Sequence, residues 1–464
     1  MAKRKQSTKS NNGGIPFHPD FVEPTETERH AAIGSFPGAT HTASTRKAML
    51  NEAQLHLDDD RAPSLVESFS DLDEAKLYEP AGKRAMTTMA VPKPRDEQDW
   101  LACVPEEGQT FDEYVRFLTT RSGRFSRIAN VGYDHIVLLP IVRSRSVSDS
   151  HWPDHGVPLE PLVPLAKAFF HRPVRLFPPA VLCDEKPSGD RMNPSQGVAI
   201  SFTMKFPTAS SDHNGRQQYL HATVTGRKDL ASQRVQLNLE DVLYALKTFR
   251  EDESLLAADG GEPLPNSSFC VMAITMDDLY MDPTDLFVSG MAFGGDKVAV
   301  FSFSRYHPHI KMHPGRWFDF GYGTKHDNYS YYEEAHINPI GARKKAKKNL
   351  PALTPEPPTF DNMTRQAQTE FFRRCAKILV HELGHLYGLD HCIFNRCIMN
   401  GTGHLVEDFL APFHLCPVCL RKLQWRLGFS VVYRYKKLAD SLRGLGMDKE
   451  EKWIGKQLET LESA

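Results

Sequence analysis

The chain has 464 residues, 40% hydrophobic and 25% charged, with a formal net charge of −2. That is ordinary for a globular protein of two or three domains able to bury a core. So balanced a charge leaves no global electrostatic reason to expect nucleic acid, an anionic membrane or a strongly charged substrate as partner.

The N-terminus, "MAKRKQSTKSNNGG", is basic and polar with no apolar stretch behind it, so neither a secretory signal nor an anchor is expected. Apolar runs such as "HIVLLPIV" at 135–142 are much shorter than a membrane span requires. The expected location is intracellular and cytoplasmic, with "KRK" at 3–5 leaving a nuclear address as the lesser reading. In a reducing compartment the eight cysteines are expected as thiols or metal ligands, not disulfides.

Residues 1 to about 95 are rich in Ser, Thr, Asn, Pro and charge, without sustained period, and are expected to be mostly disordered. From about 98 the chain reads as a helix-bearing lead-in and then a buried strand, "YDHIVLLPIV". "LEPLVPLAKAFFHRPVRLF" predicts an apolar helix ending near Pro173 and a short strand. Residues 184–236 read as a polar, turn-rich insertion with one alternating segment, "QQYLHATVTG".

Asn238 can cap a helix "LEDVLYALKTF", with an apolar stripe of Val242, Tyr244, Ala245, Leu246 and Phe249. "SSFCVMAITM" at 267–276 and "KVAVFSFSRY" at 297–306 predict strands, and "SGMAFGG" at 289–295 a short edge strand. Strand, helix, strand, strand points to a mixed sheet with helices packed on it. A long irregular connection over 307–360 holds the basic run "RKKAKK" and His307, His309 and His313, taken as loop residues for want of partners at ligand spacing. Asp361 is expected to open a helix running to the end of "KILVHELGHLYG". "LRKLQWRLGF", "VVYRYKKLADSLRGL" and a charged terminal segment, "DKEEKWIGKQLETLES", predict three more helices.

The chemistry concentrates in "HELGHLYGLDHCIFNRCIMN", residues 381–400. His381 and His385 stand four apart on the helix, about one turn along it, so both imidazoles can reach one ion. Gly388 allows a left-handed exit from the helix, after which the chain can return to deliver His391. Three histidines leave a fourth tetrahedral position of zinc open for water, whose pKa the metal lowers towards neutrality. Glu382, beside the first ligand, is placed to take the proton from that water and pass it to a leaving amine. Cys392 and Cys397, with Cys416 and Cys419 of "CPVC", are what a closed four-thiolate zinc site needs; a thiol–disulfide motif at Cys416 and Cys419 is the competing reading. Met399 can pack beneath the histidines as an apolar floor, although a buried core Met is the plainer reading. Cys103, Cys183, Cys270 and Cys375 fall in apolar or helical contexts and are expected in the core.

The string His381, Glu382, His385, Gly388, His391 and Met399 resembles the metzincin metallopeptidases, and the four cysteines narrow the likeness to the archaemetzincin family. The likeness extends through "FCVMAITMDDLY", "FVSGMAF" and "LGFSVVYRYKKL" over roughly residues 130–445. It implies an α+β, zincin-like fold: a twisted mixed β-sheet with one antiparallel edge strand, an active-site helix, and a C-terminal helical subdomain held by the four-cysteine zinc site. It further implies a metallopeptidase domain over 96–445, followed by a charged tail at 446–464. Two Zn2+ ions are implied, a catalytic one on His381, His385 and His391 and a structural one on Cys392, Cys397, Cys416 and Cys419. Glu382 would serve as general base and acid, and an extended peptide would pair with the edge strand around Gly290 to Phe293. Side-chain specificity, the choice between endopeptidase and aminopeptidase, and oligomeric state stay open. A zinc-stabilised scaffold with a weak or vestigial peptidase site is the alternative function.

Overall fold

The computed structural model describes residues 21–34, 89–94, 99–120, 135–144, 150–187, 198–211, 217–228, 235–251, 268–282, 287–309 and 358–462. In chain order the elements begin with α1 (Glu26–Ala32), α2 (Trp100–Cys103), α3 (Phe111–Thr120), β1 (His135–Arg143) and α4 (Leu162–Phe170). Next come β2 (Val174–Leu176), β3 (Ala180–Pro187), β4 (Val198–Ser211), β5 (Gln217–Lys228), β6 (Val235–Asn238) and α5 (Leu239–Glu251). They are followed by β7 (Ser268–Thr275), β8 (Asp278–Tyr280), β9 (Gly290–Phe293) and β10 (Val298–Ser302). The chain ends in α6 (Arg365–Leu386), α7 (Leu405–Leu410), α8 (Pro417–Leu427), α9 (Val431–Gly444) and α10 (Asp448–Glu462).

The fold is mixed α+β. Among the described residues one sheet runs in the order β8-β6-β5-β4-β3-β1-β7-β10-β9. β1, β7 and β10 are parallel and β9 closes one end antiparallel, pairing Phe293 with Val298 and Gly290 with Phe301. β2 and β3 lie along the same side of β1, against Ile136–Leu138 and Ile141–Arg143 respectively. The break between them falls at Pro178 and Pro179, which cannot donate ladder hydrogen bonds.

The stretch read as a polar insertion supplies most of the other half of the sheet. β3, β4, β5 and β6 are joined antiparallel, so antiparallel pairing is not confined to the β9 edge. β4, "VAISFTMKFPTASS", buries Ile200, Phe202, Met204 and Phe206 at every second position, an alternation veiled by the intervening Ser, Thr and Lys.

Alternation along the central strands divides the interior into two cores. Ile136 and Leu138 of β1, Met272 and Ile274 of β7, and Phe301 of β10 face the core shared with α4, α6 and the C-terminal helices. Val137 and Leu139, Val271 and Ala273, and Val298 and Val300 face the other core, filled by α5. Covered on both sides, these strands read as continuous apolar runs. Asn238 does cap α5, its Oδ1 accepting from Asp241 N at 3.1 Å. The stripe, however, consists of Val242, Leu243, Ala245, Leu246 and Phe249, whereas Tyr244 is 73% exposed. At about 100° per residue, Tyr244 falls outside the arc that Val242, Ala245, Leu246 and Phe249 share.

Two expectations shift at segment ends. Asp361 belongs to a 3₁₀ turn, Phe360–Asn362, and α6 is capped by Thr364, whose hydroxyl accepts from Ala367 N at 3.3 Å. Within the first 95 residues, Thr25 forms a capping box for α1, and Ala32 and Ile33 are fully buried. Arg29 donates to Asn395 Oδ1 at 2.5 Å, and Arg421 Nη1 to the Ile33 carbonyl at 2.6 Å. That part of the N-terminal region is docked structure; "KRK", "RKKAKK" and His313 lie outside the described residues. No described helix is long and apolar enough to cross a membrane.

Candidate metal centres

α6 carries the first two histidines. Phe371, Cys375, Leu379, Leu383 and Leu386 bury one face of it against the sheet, which turns His381 and His385 to the other, partly exposed face. The helix ends at Gly388, whose φ of +88° is the left-handed exit its position requires. Leu389 N then bonds back to the Gly384 carbonyl at 3.0 Å, and the reversal brings His391 against the other two rings. Their ligand nitrogens all lie within 4.8 Å of one another.

Hydrogen bonds settle which nitrogens face inward. His381 Nδ1 donates to the Ile398 carbonyl at 2.8 Å, His385 Nδ1 to the Leu389 carbonyl at 2.7 Å, and His391 Nδ1 to Glu106 Oε1 at 2.7 Å. Each acceptor is an oxygen, so each Nδ1 carries the proton and each Nε2 presents a lone pair. With both Nδ1 protonated, Nε2 of His381 and His385 stand 3.0 Å apart with their lone pairs facing, an arrangement that a cation between them would relieve. Tetrahedral zinc with bonds of about 2.0 Å sets such nitrogens about 3.3 Å apart, so the donor set fits that metal. Burial, then the neighbouring His391, push His381 down to about 4, and burial takes His385 well below its ordinary value; both stay neutral, the state in which an imidazole can bind a metal.

Glu382 is 7% exposed and adjoins His381 on the helix. Burial, reinforced by the Asp408 carboxylate, pushes its carboxyl up to about 8 before any cation acts on it. Asp408 in turn accepts from the buried Tyr306 hydroxyl. Met399 is fully buried under this turn of α6; a Cβ on Gly384, one residue before His385, would come within 2.6 Å of its sulfur. The floor position expected for Met399 therefore depends on Gly384, which sequence reading passed over.

The four cysteines converge as well. Cys392, Cys397, Cys416 and Cys419 are buried, with sulfurs within 4.8 Å of one another and no disulfide between them. Cys392 and Cys416 sulfurs are 3.6 Å apart, near the ~3.8 Å separation that ~2.3 Å zinc–sulfur bonds impose. Hydrogen bonds from the other three cysteines pull Cys392 well below the usual thiol range, while burial raises Cys397 and bonds to its neighbours raise Cys419. That donor set also fits zinc, and it brings both pairs together, which a redox motif at Cys416 and Cys419 alone does not require. Cys416 caps α8 and Cys419 lies in its first turn, where the helix dipole favours negative charge. Asn400, unnoticed in the sequence, stitches the loop: its amide donates to the Cys392 and Asn395 carbonyls at 2.6 and 2.9 Å, and its Oδ1 accepts from Cys397 N at 2.7 Å.

A third group, Asp99, His404 and Glu407, also lies close together. Here both imidazole nitrogens are spoken for: Nε2 donates to Asp99 at 2.9 Å and Nδ1 accepts from Glu407 N at 3.2 Å. Glu407 accepts from Gly403 N and Trp100 N. The group is a clamp between α2 and α7, without a free ligand nitrogen. His307 is buried rather than a free loop residue, its ring packed 5.0 Å from Phe371. Cys183, Cys270 and Cys375 are buried and Cys103 is half-buried.

Residues 352–425, which contain both ligand clusters and Glu382, match the family described as "Peptidase family M54". The chain is 35% identical over 208 residues to archaemetzincin-2 of Macaca fascicularis, covering 45% of this chain and 46% of that protein. It is 38% identical over 175 residues to archaemetzincin-2 of Homo sapiens (38% and 41% covered) and 30% identical over 340 residues to archaemetzincin-1 of Rattus norvegicus (73% and 51% covered). The matches thus span about half the length of these relatives or less. Archaemetzincin from Methanopyrus kandleri superposes over 65% of this chain and 98% of its own with a TM-score of 0.31 at 17% identity, too loose a likeness to carry an argument.

Proposed function

We propose that this chain, a homologue of the archaemetzincins of peptidase family M54, is a zinc-dependent metallopeptidase with a second, structural zinc. The observation that carries this reading is the set of three imidazoles whose Nδ1 atoms are all engaged by oxygens while their Nε2 lone pairs converge beside Glu382. His381, His385 and His391 would hold the catalytic ion, and Cys392, Cys397, Cys416 and Cys419 the structural one. Zinc bound to the histidines would supply Lewis acidity, polarising the scissile carbonyl and acidifying the attacking water.

The protein's own part follows from where its groups sit. Glu382, desolvated and next to His381, accepts the proton that the attacking water gives up and returns it to the departing amine. Burial and the nearby Asp408 hold its carboxyl above the usual range before a cation is bound, and a cation on the histidines would lower it towards the carboxylate that a general base needs. Met399 supports the rings from below through its contact at Gly384, in the manner of a metzincin floor. β9 ends the sheet among the described residues, and Gly294, just past it, lies close to the His385 carbonyl on α6. An extended peptide added along β9 would run past the histidines, with main-chain hydrogen bonds fixing its register. The substrate is accordingly read as a peptide or unfolded protein segment.

The test compares zinc-loaded wild type with Glu382→Ala on a diverse peptide mixture, reading new termini by mass spectrometry. Cleavage should fall by at least about 10²-fold in the variant with bound zinc unchanged. Silence from both proteins would move the reading to a zinc-stabilised scaffold.

A further inference from the structure

His391 is the exceptional ligand. His381 and His385 are fixed by α6 and by backbone carbonyls, but His391 lies on a loop and its Nδ1 meets a side chain, Glu106 Oε1, at 2.7 Å. Glu106 belongs to the segment between α2 and α3, 285 positions earlier in the chain. The same Oε1 accepts from Trp100 Nε1 at 2.7 Å, and the Trp100 ring meets His391 edge-on, centroids 5.4 Å apart at 84°. One carboxylate oxygen and one indole thus hold the imidazole in plane and in direction.

The segment carrying Glu106 is itself tied at both ends. At its start, Asp99 accepts from His404 at 2.9 Å and Trp100 N donates to Glu407 at 3.0 Å. At its end, Gln109 Nε2 donates to Asp390 Oδ2 at 2.9 Å and to the Gly388 carbonyl at 3.3 Å, while Lys422 donates to Gln109 Oε1 at 3.0 Å. The Asp99–His404–Glu407 clamp, idle as a metal site, thereby anchors the strap that presents Glu106.

We propose that Glu106 is a positioning residue of the three-histidine centre: it orients His391 through Nδ1, selects the tautomer that leaves Nε2 free, and makes that nitrogen a stronger donor. This rests on the reading of His391 as a metal ligand. Carboxylate partners of ligating histidines affect metal affinity itself, so the effect is visible without any turnover.

The experiment measures zinc held by the full-length protein in two pools, one removed by a competing chelator and one released only when a mercurial modifies the thiols. Glu106→Ala should weaken the chelator-accessible pool by about 10–100-fold, and Glu106→Gln, equal in size but neutral, by a smaller factor. The mercurial-released pool should not change, and Thr110→Ala, which removes the hydroxyl that accepts from Glu113 N at 3.2 Å where the strap enters α3, should keep wild-type affinity. Wild-type affinity in both Glu106 variants would overturn the proposal; if Glu106→Ala does not fold, wild-type affinity in Glu106→Gln alone does so. A loss in Thr110→Ala as large as in Glu106→Ala would also overturn it, by showing that only the strap's fold matters. If wild type itself holds no chelator-accessible zinc, the reading of the three histidines falls, and this inference with it.

Discussion

His171 closes α4 in the left-handed region, φ 52° and ψ 45°, and its ring is buried against Phe429 and Tyr433. Burial, then the charges of Arg172, Arg434 and Lys167, lower it from 6.5 to about 3. The folded protein therefore keeps this ring neutral, while the unfolded chain takes up a proton as pH falls through 6.5. Its contribution is fully present above that pH and is lost progressively down to about 3, by about 1.4 kcal/mol for each unit crossed. Urea unfolding of wild type and His171→Asn at pH 7, 6, 5 and 4 should show a shallower decline in the variant, since Asn tolerates the left-handed conformation without titrating. Parallel curves would exclude His171 as a source of acid sensitivity. Such a residue is silent in the sequence, where it follows an apolar helix like any surface histidine.

At the scale of elements, α8 and the loop 392–400 depend on the cysteine cluster more than on their own sequence. Cys416 caps the helix without a side-chain hydrogen bond, Pro417 begins it, and the left-handed Gly428 ends it. What holds its first turn to the loop is the sulfur cluster, where Cys416 N also donates to Cys397 Sγ at 3.2 Å. Cys397→Ser should lower bound zinc from two equivalents to one by metal analysis. It should also lower the thermal midpoint by several degrees, because structural zinc contributes folding free energy directly. Iodoacetamide should then label Cys392, Cys416 and Cys419, and should leave them unlabelled in the wild type. Unchanged zinc and labelling would remove the structural site from the account. The three C-terminal helices were plain from periodicity, and the alternation of "QQYLHATVTG" marked β5; β4 was not plain, since polar residues on its exposed face diluted the apolar signal.

Across the whole molecule, the N-terminal helix α1 closes on the cysteine loop and α8 over very long sequence separations, Arg29 to Asn395 being 366 positions apart and Ile33 to Arg421 388. Ala32 and Ile33 are buried there, and the Ile33 and Gly34 carbonyls accept from Arg421 Nη1 at 2.6 and 3.0 Å. Deleting residues 1–34 should destabilise the protein by about 2–4 kcal/mol, the scale of one buried aliphatic side chain and a charged hydrogen bond. Equilibrium urea unfolding would measure this, with bound zinc expected to stay at the wild-type level. Equal stability would mean that α1 rests on the surface without contributing to it.

The clustering of the three histidines and of the four cysteines was legible because the residues from His381 to Cys419 sit at spacings that helix and turn geometry convert directly into proximity. Four residues make one turn of α6, a positive φ at Gly388 makes the reversal, and two close cysteine pairs need only one loop to meet. The central strands were legible for the same local reason, as apolar runs covered on both faces. Glu106, Trp100 and Arg29 were not, and neither was the sheet order that sets β3–β6 beside β1. The side-chain contacts join segments hundreds of positions apart, and whether such segments meet, or which strands pair, depends on how the whole sheet and its helices pack, which no spacing within one segment records.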